Sequence, residues 1–141
     1  MNEPVFVDDS AWLAITNRKD RNRGEAVRIF QRLLRTSSAL VTTTWTAYEA
    51  LTIVKFRLGF SQADRLWQRI TSRTVVELVA IDEGIEREAL ELFWRFQDKT
   101  WGVVDCSSLV VMEAVGSRSA FAYDGHFIEA SRQFGFTVVK A

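Results

Sequence analysis

The sequence predicts an α/β fold, a mostly parallel β-sheet flanked by helices, and three observations carry that reading. Short apolar runs of strand length alternate with helical patterns along the whole chain. Two of those runs stop abruptly on an aspartate, and no linker, repeat or low-complexity tract interrupts the alternation. Strands separated by helices of about ten residues need crossover connections, which makes them parallel and puts helices on the faces of the sheet.

Each element has its own signal. Val5-Phe6-Val7 is a brief strand that ends at Asp8-Asp9-Ser10, and Ala11-Trp12-Leu13-Ala14-Ile15 follows as a helix with Ser10 or Asp9 as its N-cap. Val27, Phe30, Leu33 and Leu34 recur at helical spacing in a second helix from Glu25 to Arg35, and Ala39 to Thr42 forms the next strand. A third helix runs from Trp45 to Leu58, where Gly59 closes it. Ser61, with Asp64 three positions on, opens a fourth helix that reaches Ile70. Val75 to Ile81 is a strand, Gly84 to Gln97 a long helix, and Asp105 to Gly116 another. Ala120 to Tyr123 is a strand ending at Asp124, His126 to Phe134 the last helix, and Phe136 to Val139 the final strand.

Composition narrows the function classes. A chain of 141 residues suits one domain over 1–141, and five Trp and ten Phe supply ample core and exclude disorder. Eighteen basic residues balance eighteen acidic ones, so any affinity for nucleic acid must come from a local patch. The single cysteine, Cys106, has no intrachain disulfide partner and reads as core. With neither a signal peptide nor an apolar run of about 18 residues, the expected setting is cytoplasmic with no membrane contact.

Four acids break apolar surroundings. Asp8 and Asp124 both end strands, and ligands in open parallel sheets gather at the carboxyl ends of strands. Glu49 lies in a helical stretch of mostly apolar or small residues, which turns its carboxylate at least partly inward. Asp105 opens a largely apolar helix, whose positive end favours its ionised form. Singly, Glu49 reads equally as a solvated helix residue, and Asp105 as a plain N-cap. Together they read as a metal site, because clustered carboxylates raise one another's pKa unless a cation joins them. Hard divalent ions take oxygen ligands and promote phosphodiester hydrolysis, so the chemistry indicated is that of a nuclease.

Val5-Phe6-Val7-Asp8-Asp9-Ser10-Ala11 and Tyr123-Asp124-Gly125-His126-Phe127, with Glu49 and Asp105 in order between them, resemble the PIN domain of VapC-type toxins. The resemblance spans essentially the whole chain. It implies a PIN-like three-layer fold and a Mg²⁺- or Mn²⁺-dependent endoribonuclease acting on RNA, commonly tRNA or rRNA. It also implies a cognate VapB-like antitoxin and a homodimer. On the same ground Asp8, Glu49, Asp105 and Asp124 take the metal-binding and catalytic roles, and Ser10 supports Asp8. Asp9 stands where the family usually has Thr, as an extra carboxylate in the site or as the helix cap, the latter preferred. Gly102 and Val104 replace frequent Ser/Thr before the third acid and Gly125 a frequent Arg after the fourth, which alters substrate contacts around the ligands.

Further features admit two readings each. Arg28, Arg32 and Arg35 share a helix face behind a loop bearing Arg18, Lys19, Arg21 and Arg23, suited to an RNA backbone and equally to solvent. His126 reads as packing or hydrogen bonding near Asp124 in preference to catalysis. Trp12, Trp45, Trp67, Phe93 and Trp94 serve mostly as core, with some expected in a groove between the early helices that suits an antitoxin helix. Two rival functions are a phospho-receiver signalling domain, suggested by Val7-Asp8-Asp9, and a catalytically silent PIN-fold protein-binding module. The receiver fails downstream, since no Asp occurs between Asp20 and Asp64 to accept phosphate on a central strand.

Overall fold

Val5 and Val7 point to one side of their strand and Phe6 to the other, and that alternation builds a sheet covered on both faces. The computed structural model describes residues 3–36 and 38–140. Among these, β1 (Val5–Val7), β2 (Leu40–Thr43), β3 (Val76–Val79), β4 (Ser119–Phe121) and β5 (Thr137–Val138) form one sheet in the order β3-β2-β1-β4-β5, all pairs parallel. The helices are α1 (Asp9–Thr16), α2 (Arg23–Arg35), α3 (Thr44–Leu58), α4 (Phe60–Ile70), α5 (Glu83–Arg95), α6 (Val103–Val115) and α7 (Gly125–Phe134). The three-layer α/β reading therefore stands.

Val5, Val7, Leu40, Val76 and Phe121 face α1 to α4, where Trp12, Ile29, Leu33 and Val54 are buried against them. Phe6, Val41, Ala120 and Ala122 face α5 to α7 and pack on Met112, Trp101 and Phe127. The Phe6 and Phe127 rings stack at 5.9 Å and 7°. Each such buried side chain contributes about 1.5–3 kcal/mol relative to exposure, so the two layers hold the sheet from both sides.

The chain steps outward from β1 to β3, then returns to place β4 on the other side of β1. Strand order reverses at β1/β4, and the crevice outside their carboxyl ends is where such sheets bind ligands. No helix among the described residues is long and apolar enough to cross a membrane.

Several element boundaries differ from the sequence expectation, each for a local reason. Helix α1 starts at Asp9 with Asp8 as N-cap, not Asp9 or Ser10, because Asp8 keeps an extended backbone while its carboxylate accepts the Ser10 N–H. Gly59, at φ 96°, reverses the chain in one residue, closing α3 and opening α4, so Ser61 lies inside α4 and caps nothing. Helix α6 begins at Val103 behind Gly102, which makes Asp105 its third residue and not its cap. Strand β3 stops at Val79 because its partner β2 ends at Thr43, and β4 stops at Phe121 opposite Val7.

Candidate metal centre

Val7 lies opposite Phe121, so β1 and β4 deliver the next residues to the same sheet edge. The Asp8 N–H donates to the Phe121 carbonyl at 3.0 Å, extending the ladder one residue beyond β1. Asp8 then caps α1. Three residues beyond the end of the neighbouring strand β4, Asp124 caps α7 by accepting the His126 N–H at 2.9 Å. Both carboxylates therefore sit at helix N-termini, where free N–H groups and the helix dipole favour negative charge.

Ser10 locks these two ends together. Its Oγ donates to Asp8 Oδ2 at 2.6 Å and accepts the N–H groups of Tyr123 at 2.9 Å and Asp124 at 3.2 Å. One donor and two acceptor positions are all used, so the hydroxyl fixes the Asp8 rotamer relative to the start of α7. The supporting role expected of Ser10 has this geometric basis.

Asp105 enters from the opposite layer. Its Oδ2 accepts the Gly102 N–H at 3.0 Å, steadying the first turn of α6, and lies 3.4 Å from His126 Nδ1. Deeper in, the Thr46 and Ser108 hydroxyls meet at 3.3 Å and join α3 to α6 behind the site.

Two trios of ligand atoms result, each within 4.8 Å: Asp8, Asp9 and Asp124, and Asp105, Asp124 and His126. Oxygens around one octahedral Mg²⁺ at about 2.1 Å are separated by at most about 4.2 Å, so the Asp8, Asp9 and Asp124 oxygens would need only small side-chain rotations to meet a shared cation. Asp124 belongs to both. Glu49 belongs to neither. It is exposed on α3, which corrects the expectation of an inward carboxylate, and its contact with the site is with Asp9.

Electrostatics match this crowding. Asp8 is buried, and burial, reinforced by the adjacent Asp9, pushes its carboxyl up to about 8. Burial and then the neighbouring Glu49 carboxylate push Asp9 up to about 7. Burial likewise raises Asp105, with Asp8 and Asp124 adding to it. These groups favour ionisation once a cation is among them, and an all-oxygen set with one imidazole at the rim suits a hard divalent ion.

One sequence expectation changes here and another is extended. The cap role favoured for Asp9 belongs to Asp8, and Asp9 stands in the carboxylate trio. His126 lies beside Asp124 as expected, with Nδ1 3.6 Å from Asp124 Oδ1, and its half-exposed ring also faces Asp105. The signal for it was the Asp-x-His spacing at a helix start, which puts the third residue back over the capping carboxylate. Cys106 is core as expected, with burial raising its thiol to about 11.

Comparison with known proteins agrees with this architecture. Residues 5–133 match the PIN domain. The 23S rRNA-specific endonuclease VapC20 of Mycobacterium tuberculosis is 30% identical over 139 residues, covering 96% of this chain and 98% of its own. The crystal structure of VapC20, described as a Sarcin-Ricin loop cleaving toxin, superposes with a TM-score of 0.84 over 97% of this chain and 99% of that one. FitAcB from Neisseria gonorrhoeae shares the fold at 13% identity, with a TM-score of 0.66 over 96% of each chain. A crevice at the β1/β4 switch point, carboxylates delivered to it in order along the chain, and likeness through nearly the full length have one explanation: the chain belongs to the PIN-domain family, among its VapC-type endoribonucleases.

Proposed function

We propose that Asp8, Asp105 and Asp124 hold Mg²⁺ or Mn²⁺, with Asp9 and Glu49 completing the acidic rim, and that RNA is hydrolysed there. The observation that supports it most directly is the pair of ligand trios that share Asp124, one of three carboxylates and one of two carboxylates with the His126 imidazole, beyond the carboxyl ends of two adjacent strands. When bound, such an ion activates a water and stabilises the leaving oxygen of the phosphodiester. The chain's own residues orient the site. Ser10 and the helix N-termini fix Asp8 and Asp124, Gly102 fixes Asp105, and the half-exposed His126 ring borders the site beside Asp105 and Asp124.

The name of the M. tuberculosis relative supports ribosomal RNA as the substrate class, with a structured loop as the target; tRNA is the other class the family resemblance offers. The same resemblance supports a cytoplasmic toxin that forms a homodimer and is neutralised by a VapB-like antitoxin. An apolar groove of about 260 Å³ between α3 and α4, bordered by Leu51, Phe60, Ala63 and Trp67, accords with the expected helix-binding surface.

The test is cleavage of total ribosomal RNA and of tRNA with Mg²⁺ or Mn²⁺, against Asp8→Asn and Asp105→Asn. Each variant should lose more than the roughly 10–100-fold typical of outer-shell changes at metal sites. Cleavage that persists in chelator, or in both variants, would refute the assignment. A wild-type protein cutting neither RNA would favour the silent binding module.

A further inference from the structure

We propose that the furrow between the C-terminal end of α1 and the flank of α4 is an RNA-phosphate cleft, separate from the carboxylate site. Its existence as an anion site stands on the geometry alone; naming RNA as the occupant rests on the ribonuclease reading.

Two adjoining cavities of about 180 and about 430 Å³ share Thr16, Arg18 and Gln62 and so form one continuous furrow. Arg18, Arg23, Arg65 and Arg69 line the first, and Lys19 and Arg57 join in the second; no carboxylate lines either. Among the described residues, none of these six cations forms an ion pair with an acidic side chain. The Arg23 Nε is buried without a hydrogen-bond partner, the single such side-chain atom among them. Arg23 is also the first residue of α2, so the positive end of that helix adds to the field.

Six like charges gathered on a chain of zero net charge repel one another, and a polyanion removes that cost. Guanidinium groups suit phosphate because they offer paired N–H donors in a plane. RNA is favoured over an acidic protein segment for a reason rooted in the carboxylate site, which by itself repels the phosphates it must hold. A chain without net positive charge needs an attractive patch elsewhere, and α1 carries the carboxylates at one end and the furrow at the other, about 10 Å along its axis. Arg28, Arg32 and Arg35 on α2, the face the sequence suggested, do not line it. The furrow instead combines the α1–α2 loop with α4, some forty residues further on.

Fluorescein-labelled oligouridylate, titrated in EDTA and followed by anisotropy at several KCl concentrations, tests the cleft without cleavage. Arg18→Glu with Arg65→Glu, both exposed, should weaken binding about 10-fold or more at low salt and flatten the salt dependence by about one to two phosphate contacts. Arg18→Lys with Arg65→Lys should retain most of the affinity, and thermal unfolding of both should match the parent. Unchanged affinity and slope in the reversal variant would overturn the cleft. Displacement of oligouridylate by polyglutamate at equal charge concentration would assign the furrow to an acidic protein segment and overturn the RNA proposal. Failure of the ribonuclease reading looks different: no cleavage with either metal, while oligouridylate binding still depends on Arg18 and Arg65.

Discussion

At Asp8, burial and charge oppose each other, and pH decides the outcome. Its carboxyl rises to about 8 and that of Asp9 to about 7 in the folded chain, above the value near 4 of an exposed aspartate. A folded-state pKa above the unfolded one means that the native state binds the proton more tightly. That contribution is complete below about pH 4 and is lost as pH rises through the folded values. In chelator, the thermal midpoint attributable to this pair should therefore fall between about pH 5 and pH 9. Asp8→Asn should flatten the fall and raise the midpoint at pH 9 by several degrees, each kcal/mol being worth about 3–5 °C at this size. Mg²⁺ or Mn²⁺ should stabilise the parent more at pH 8 than at pH 5, because protons and cation compete for the same oxygens. A pH-independent difference between parent and variant in scanning calorimetry would contradict this account. At this scale Asp8, Asp105 and Asp124 were legible in the sequence because each interrupts an apolar run. Asp9 stayed divided between site and helix cap, since a side chain's heading depends on which residue caps the helix, and Asp8 caps α1 instead of Asp9 or Ser10. His126 was legible as a neighbour of Asp124 but not of Asp105, which arrives on another helix.

Helices here are delimited by conformations that particular residues permit. Gly116 ends α6 in the left-handed region at φ 72°, with its N–H returned to the carbonyls of Met112 and Glu113. Alanine there should cost about 1 kcal/mol, read as a lower urea midpoint at unchanged m-value. Gly125, the first residue of α7, has ordinary φ and open space where a Cβ would stand, so Gly125→Ala should be close to neutral in the same measurement. An equal loss at both positions would show that the left-handed backbone is not the cause. The order and type of the elements were legible because apolar runs of strand length alternate with longer helical stretches, several of them strongly amphipathic, as α2 and α4 are. Their ends were less so. The partner strand sets where a strand stops, as β2 does for β3, and Gly59 serves two helices through one torsion that hydropathy does not encode.

Across the whole molecule, two apolar layers on one short-stranded sheet should unfold together. Trp12 anchors the α1–α4 side, where its ring meets Phe30 edge-on at 6.2 Å, and Phe127 anchors the other against Phe6. Trp12→Ala and Phe127→Ala should each cost about 3–5 kcal/mol in urea unfolding, with fluorescence and circular dichroism transitions coincident. Separated transitions in either variant would mean that the layers are independent units.

From local pattern alone the chain specifies alternating strands and helices, the aspartates that end two strands, and a family resemblance through nearly its full length. These rest on spacing along the backbone, which neighbouring residues determine. Tertiary structure alone decided that β4 returns beside β1, that Asp124 serves two ligand trios, that Glu49 remains at the exposed rim, and that arginines some forty residues apart share one furrow. Such pairings join residues distant in sequence, and which of them form is settled by how two buried faces pack on a common sheet.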